Sequence, residues 1–312
     1  MTSRYLRNII AALLCGCLFT SLACAERRAL IVVGLPGDDE HQEQFVESTT
    51  QIHTALIDRF GFAEDNIRIQ FGRGEDAPEL DTIPIAGRAT REEIAAEAKT
   101  LTAATTADDE AWVFVIGHSY WDGKKSHFNI PDRDLTHEQF GKLFTELAGS
   151  QSLFFICTPA SGFYIRGLSK PNRIVISATE DAAETNASLY HTALAKTLTD
   201  INTGPEFDLD KDGTVSIFDF YIKSTQNLSD IYLKNEPPLI ATEHPQLDDN
   251  GDGKGSELQV DYLTMRQGGR SDSNRKRRLR KFTDGAIAAT VQMPFAQKAG
   301  EESTETEATT EE

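Results

Sequence analysis

The stretch WVFVIGHSY, residues 112–120, begins with an unbroken apolar run, and a glycine and a histidine follow this run. An apolar run without polar alternation predicts a strand that is buried on both faces. Similar runs are ALIVVG at residues 29–34 and SLFFIC at residues 152–157. Segments with helical patterns lie between these runs, so the sequence predicts an α/β domain with a mostly parallel sheet and helices on both faces.

The segments between the strands carry helix signals. Apolar residues at residues 45–60 are spaced as one face of a helix that a following glycine ends. Thr90 with Glu93, and Thr136 with Gln139, have the spacing of capping boxes. Two further strands are predicted at residues 66–71 and 173–178, and a covering helix at residues 184–199.

The N-terminus has the three parts of a secretory signal. Arg4 and Arg7 precede an apolar run at residues 9–23, and this part of the chain ends in a group of small residues, the last of which is Ala25. We expect cleavage after Ala25 and export to the periplasm or the extracellular space. Three of the four cysteines lie in this segment, so Cys157 has no partner for an internal disulfide. A lipid-anchored form, modified at Cys17 or Cys24, is the alternative.

The composition limits the classes of partner. The chain carries 49 acidic and 31 basic side chains, for a formal charge of −18. Such a charge repels phosphate backbones, so we expect no nucleic-acid partner and an affinity for cations instead. Beyond the N-terminal segment no run approaches the roughly 20 apolar residues that cross a bilayer, so we expect no membrane span.

Acidic residues are densest in DLDKDGTVSIFD, residues 208–219. Oxygen-bearing side chains stand at loop positions 1, 3, 5, 9 and 12, and Gly213 stands at position 6, where a calcium-binding loop turns sharply. The close carboxylates repel one another without a cation, so we predict Ca²⁺, with Mg²⁺ as a competitor. The candidate ligands are Asp208, Asp210, Asp212, the Thr214 carbonyl, Ser216 and Asp219. The alternative is an acidic turn whose aspartates cap a helix.

A second acidic run, DDNGDG at residues 248–253, repeats the first half of this pattern forty residues later. The second half of this loop matches the calcium-loop pattern less well, because Gln259 at position 12 is neutral and Glu257 would have to reach the cation from position 10. We favour a cation site over a polar turn. The candidate ligands are Asp248, Asn250, Asp252, Lys254 and Glu257.

The two acidic loops resemble paired EF-hands, and the first, which ends in aspartate, also resembles a dockerin repeat. The resemblance covers residues 204–265. It implies calcium-dependent folding of a small helical module, and the dockerin form implies a protein partner without catalysis.

A histidine and a cysteine lie at the ends of two of the predicted strands. His118 comes directly after residues 112–117, and Cys157 ends the next apolar strand. Ends of parallel strands meet at the same edge of a sheet, so the pair has the placement of a base and a thiol nucleophile. The alternative for each is an ordinary hydrogen-bonded histidine and an inert buried cysteine.

The α/β part resembles the caspase and legumain-like cysteine peptidases, and in particular exported bacterial caspase-like proteins. Gly117-His118 matches the histidine motif, and Ser161-Gly162 matches the dipeptide that follows the nucleophile. Where the family has its nucleophilic cysteine, this sequence has Pro159, and Cys157 stands where the family has an acidic residue. Ser161 and Thr158 are alternative hydroxyl nucleophiles, with no evident acid to orient His118.

These observations predict an exported calcium-binding protein whose caspase-like domain is degenerate as a peptidase. One alternative is an active cysteine endopeptidase that uses His118 and Cys157, with amides near Ser161 and Gly162 stabilising the oxyanion. The other is a dockerin-like module that binds a protein or peptide when calcium is present. The predicted segments are a signal peptide (1–25), a caspase-like domain (26–203), an EF-hand-like module (204–265), a basic linker and helix (266–295) and a disordered acidic tail (296–312).

Overall fold

The structure is a computed structural model that describes five ranges of the chain: residues 25–74, 83–180, 184–234, 242–258 and 284–296. Residues 1–24 of the predicted signal peptide, the basic run at residues 270–281 and residues 297–312 of the predicted acidic tail lie outside these ranges.

Ten strands lie in the described ranges. In chain order they are β1 (Arg27–Val33), β2 (Ile67–Phe71), β3 (Ile85–Gly87), β4 (Glu110–Ile116), β5 (Ser119–Trp121), β6 (Ser126–Phe128), β7 (Leu135–Thr136), β8 (Gln151–Cys157), β9 (Arg173–Ser177) and β10 (Gln246–Asp248).

Six α-helices lie in the same ranges, and none of them is both long and apolar enough to cross a bilayer. They are α1 (Asp39–Asp58), α2 (Arg91–Ala104), α3 (His137–Leu143), α4 (Gly162–Leu168), α5 (Tyr190–Asp200) and α6 (Ile217–Lys234). The predicted cap of α3 is present, because Thr136 accepts a hydrogen bond from the backbone of Gln139 and the Gln139 side chain accepts one from the backbone of Thr136.

Seven strands form the main sheet in the order β10-β9-β8-β4-β1-β2-β3. All neighbouring pairs are parallel except β9 and β10. The predicted α/β fold with a mostly parallel sheet, of the kind expected for a caspase-like domain, is confirmed. The strand order places the end of β4 beside the ends of β1 and β8, which is where His118 and Cys157 lie.

The sheet is covered on both faces because alternate side chains of each strand enter different apolar clusters. Trp112, Phe114 and Ile116 of β4 belong to the cluster that contains the buried faces of α1, α5 and α6. Val113 and Val115 belong to the cluster that contains α2, α3 and α4. The double burial explains why β4 has no polar alternation in its sequence.

A small antiparallel sheet, β5-β6-β7, follows β4 and crosses close to its end. Two glycines permit this approach. A Cβ on Gly34 would lie 2.5 Å from the Asn129 carbonyl oxygen, and one on Gly117 would lie 2.9 Å from the Phe128 ring. Gly117, which precedes His118, is therefore required by packing, whatever the chemistry of His118.

The region after α5 shares the core of the main sheet. Helix α6 packs with α5, and its apolar residues lie in the same cluster as β4 and β8. The first acidic loop lies between α5 and α6, whereas the second follows the edge strand β10. The C-terminal segment, residues 284–296, pairs with the first loop, because Met293 donates its backbone hydrogen to the Val215 carbonyl at 2.9 Å.

Candidate functional site

His118 lies directly beyond the carboxyl end of β4 and is half-buried. Its Nε2 donates a hydrogen bond to the Pro36 carbonyl oxygen at 2.8 Å, so Nδ1 is the ring nitrogen left as an acceptor in the neutral form. Burial lowers the pKa of His118. A neutral imidazole with a fixed tautomer has the protonation state of a general base.

The first turn of α1 places a second histidine against His118. The ring centroids of His41 and His118 are 4.5 Å apart, and Phe45 lies 5.4 Å from His118. The N-cap residue Asp38 accepts hydrogen bonds from the backbone of His41 at 2.9 Å and from its Nδ1 at 2.7 Å. These bonds lower the pKa of Asp38.

A third histidine, His191 on α5, is fully buried nearby. Its ring lies 5.2 Å from that of Phe45, and its Nδ1 is 2.8 Å from the Ser48 hydroxyl. Burial, together with the nearby His41 and His118, lowers the pKa of His191 to about 3. Sequence reasoning did not identify His41 or His191, because only the packing of α1 and α5 brings them to the end of β4.

Cys157 is fully buried and lies opposite Ile116 in the pairing of β4 with β8. Burial, and to a smaller extent the Glu243 carboxylate, raises the pKa of the Cys157 thiol well above its ordinary value. No hydrogen bond joins the His118 ring to the Cys157 sulfur among the residues that the structure describes. The thiol therefore has the environment of an inert packed cysteine rather than that of an activated nucleophile.

The Ser-Gly dipeptide holds the loop after β8 in place. The Ser161 hydroxyl is buried and lies 3.0 Å from the Thr179 hydroxyl, while the Ser161 backbone donates to that Thr179 hydroxyl at 2.8 Å. Gly162 begins α4 and is half-buried. Thr158 and Pro159, which precede the dipeptide, are also buried. A hydroxyl nucleophile at Ser161 or Thr158 would have no access to a substrate in this geometry.

The first acidic loop brings three of its predicted ligands together. One carboxylate oxygen from each of Asp208, Asp210 and Asp212 lies within 4.8 Å of the others. Backbone donors shape the turn, because Gly213 donates to Asp208 at 3.0 Å and Thr214 donates to Asp212 at 2.9 Å. Burial, and then the nearby acids Asp219 and Asp212, raise the pKa of Asp210 to about 6.

Asp219 is fully buried and uses both carboxylate oxygens inside the loop. One oxygen accepts hydrogen bonds from the backbones of Leu209 and Asp210 at 2.6 and 3.2 Å. The other accepts from the backbone and the hydroxyl of Ser216 at 2.9 and 2.7 Å, and the Ser216 hydroxyl accepts from the Asp219 backbone at 3.2 Å. The predicted ligands Ser216 and Asp219 thus form a reciprocal cap for α6, which corresponds to the helix-cap alternative for this part of the loop.

The second acidic loop brings Asp248 and Asp252 together with Asp284, which the sequence did not suggest. One carboxylate oxygen from each of the three lies within 4.8 Å of the others. The Asn250 amide donates to Asp284 at 2.5 Å, and the Ser256 hydroxyl also donates to Asp284. Burial is the main cause that raises the pKa of Asp284 to about 6.

The two other predicted ligands of this loop have different surroundings. The Lys254 backbone donates to Asp252 at 2.9 Å, and so closes the turn. Glu257 is half-buried, and its charge interacts with those of His244, Glu180 and Glu184 rather than with those of the Asp248 cluster. Asp284, rather than the predicted Glu257, thus completes the cluster.

Both clusters offer oxygen donors alone, which suit hard cations such as Ca²⁺ and Mg²⁺. The raised pKa values of Asp210 and Asp284 have the same causes, first burial of each carboxyl and then the negative charge of the neighbouring aspartates. A divalent cation among them would remove this cost, so the donor sets fit a cation. The sequence matches no protein-family model, and no curated protein is significantly similar to it.

Proposed function

We propose that the protein is an exported calcium-binding protein whose caspase-like domain does not act as a cysteine peptidase. The observation that carries this proposal is the convergence of the Asp208, Asp210 and Asp212 carboxylates within 4.8 Å in a loop with calcium-loop spacing. Asp248, Asp252 and Asp284 would hold a second cation. Mg²⁺ is the competing ion at both places.

The ions would act on stability rather than on a bound substrate. The first loop connects α5 to α6, and both helices contribute to the core under the sheet. The second loop follows the edge strand β10. Neutralising the two clusters would therefore remove repulsion at the connection between α5 and α6 and next to the edge strand β10.

The test is calcium titration of the mature chain, followed by calorimetry and thermal unfolding. We expect two bound Ca²⁺ ions per chain and a higher midpoint of unfolding in CaCl₂ than in EDTA. A cation at a hundredfold excess over its Kd adds about 2.7 kcal/mol to the free energy of unfolding. The double variant Asp208→Asn/Asp212→Asn should lose one ion, and the exposed Asp108→Asn should lose none. No bound metal at millimolar calcium would refute the proposal.

Export is a separate part of the proposal, based on the N-terminal sequence. Expression of the full chain in a bacterium should give a processed protein outside the cytoplasm that begins at Glu26. A chain that keeps its N-terminus in the cytoplasm would contradict export and leave calcium binding to be judged by its own measurement.

An active cysteine peptidase is the second candidate. It is favoured by the neutral, oriented imidazole of His118 at the end of the strand beside β8. The buried Cys157 thiol opposes it. Fast labelling of Cys157 by a peptidyl acyloxymethyl ketone, lost in His118→Ala, would establish the peptidase and overturn the non-catalytic account.

A further inference from the structure

Two cavities lie on either side of α3. One, of about 800 Å³, lies between α3 and α4, and the other, of about 630 Å³, lies between α3 and the small sheet. Glu138 and Lys142 line both of them, so both cavities border the same part of α3. We call the two cavities together the α3 cleft. Neither His118 nor Cys157 lines it.

The α3 cleft has the opposite charge to the chain as a whole. The formal charge of the chain is −18, yet cationic side chains outnumber acidic ones along the cleft. The cationic residues are Arg91, Lys124, Lys125, Arg133, Lys142 and Arg166. The acidic residues are Asp132, Asp134 and Glu138.

Part of this positive charge is not neutralised. Lys125 is paired with Glu138 at 2.5 Å, and the charge of Glu138 also interacts with that of Lys142, so this one acid is shared between two cations. Lys124, Lys142 and Arg166 are exposed, and within the described ranges no carboxylate lies within 4.0 Å of them. These three side chains line the larger cavity together with the single acid Glu138, so the cavity has an excess of positive charge.

The larger cavity also presents a neutral donor and an apolar wall. His137 Nδ1 accepts the backbone hydrogen of Ser126 at 3.2 Å, so in the neutral ring the hydrogen is on Nε2. Burial lowers the pKa of His137, which favours this neutral form. Phe163 is half-buried and stacks on Trp121, with ring centroids 4.1 Å apart.

We propose that the α3 cleft binds an acidic peptide segment of a partner protein. Cations distributed along two adjacent cavities match carboxylates repeated along an extended chain better than they match a single small anion. The Arg166 guanidinium is suited to a carboxylate, and Phe163 provides a contact for an apolar side chain of the same peptide. This binding is independent of peptidase chemistry, and the larger cavity borders the second acidic loop at Gly253.

The negative charge elsewhere on the chain does not prevent this binding at physiological salt. The Debye length is about 8 Å at 0.15 M ionic strength, so acids beyond the cleft are largely screened. Charges that line the cleft contact the ligand directly and are screened less.

The experiment is fluorescence polarisation with a fluorescein-labelled peptide of alternating glutamate and phenylalanine, at 0.15 M NaCl with CaCl₂ present. We expect saturable binding by the mature chain and weak binding of the peptide with glutamine at every glutamate. The variant Lys142→Gln/Arg166→Gln should weaken binding by about tenfold or more, because two charge-assisted contacts are removed. Lys99→Gln, which removes an exposed lysine on α2 outside the cleft, should bind like the parent.

The proposal would be overturned by no binding of the acidic peptide, by equal binding of the glutamine peptide, or by unchanged affinity in Lys142→Gln/Arg166→Gln. Inorganic phosphate is added as a competitor. Displacement of the peptide at equimolar phosphate would assign the cleft to small anions and would equally overturn a peptide site. Circular dichroism of each variant shows that the fold is retained, as expected for exposed side chains.

Discussion

The Asn250 amide lies 2.5 Å from a carboxylate oxygen of Asp284, and this hydrogen bond joins residues 34 positions apart. Asp284 begins the C-terminal segment, residues 284–296, which also pairs with the first loop through Met293 and Val215. The same segment therefore completes the second acidic cluster and supports the first. Cation binding at the second cluster should consequently tie the C-terminal segment to the domain.

Replacement of Asp284 tests this relationship. Asp284→Asn removes one of three carboxylates from the second cluster and leaves the first cluster intact. We expect calcium stoichiometry to fall from two ions to one, and the midpoint of unfolding in CaCl₂ to fall while that in EDTA rises or stays the same. The measurements are isothermal titration calorimetry and calorimetric unfolding, with Asp108→Asn as the matched control. Retention of both ions would exclude Asp284 as a ligand.

The sequence was informative where local patterns determine structure. The apolar run of β4, the cap at Thr136 and the acidic turn at residues 208–213 each follow from neighbouring residues, and the structure contains all three. Spacing alone did not decide the role of Asp219. An acid at that position can close a calcium loop or cap the following helix, and the two roles need the same spacing.

Residues that depend on tertiary packing were not predictable. Asp284 reaches the second cluster from a distant segment, and no fixed spacing links it to Asp252. His41 and His191 meet at Phe45 only because α1 and α5 pack on the same face of the sheet. A single sequence gives the pattern of each helix but not which positions of two helices meet.

Calcium affinity should depend on pH near 6. Without a cation the pKa values of Asp210 and Asp284 are raised to about 6, so both carboxyls are increasingly protonated below that pH. Calcium must displace these protons, and the affinity of each site should fall by about tenfold per pH unit below about pH 6. Titrations from pH 5 to 8 measure this dependence. An affinity that is constant down to pH 5 would contradict it.

The metal-free protein should show the opposite trend in stability. A carboxyl whose pKa is higher in the folded state binds its proton more tightly there, so folding is favoured at low pH and loses stability as pH rises through about 6. The midpoint of unfolding in EDTA should therefore decrease between about pH 4 and pH 6 from the contribution of Asp210 and Asp284. Asp210→Asn/Asp284→Asn should reduce this slope.

Cys157 should behave as a packing residue. Cys157→Val keeps an apolar side chain of similar volume and should cost less than about 1.5 kcal/mol of unfolding free energy. Cys157→Ser buries a hydroxyl among apolar side chains and should cost about 1 to 3 kcal/mol. Urea denaturation measures both values. Iodoacetamide should label the native thiol only as fast as the protein opens, and rapid labelling of the folded chain would show an accessible thiolate.

The glycine before His118 should be indispensable to the packing of the small sheet against β4. Gly117 has φ of +149°, and a Cβ there would lie 2.9 Å from the Phe128 ring and 3.3 Å from the Gly34 backbone. Gly117→Ala should therefore cost about 2 to 3 kcal/mol, as overpacking of a filled core does. Gly123 also has positive φ, at +94°, but a Cβ there meets nothing within 4 Å. Gly123→Ala should cost only the conformational penalty of about 1 kcal/mol, and equal losses in the two variants, measured by urea denaturation, would mean that the contact with Phe128 is not the constraint.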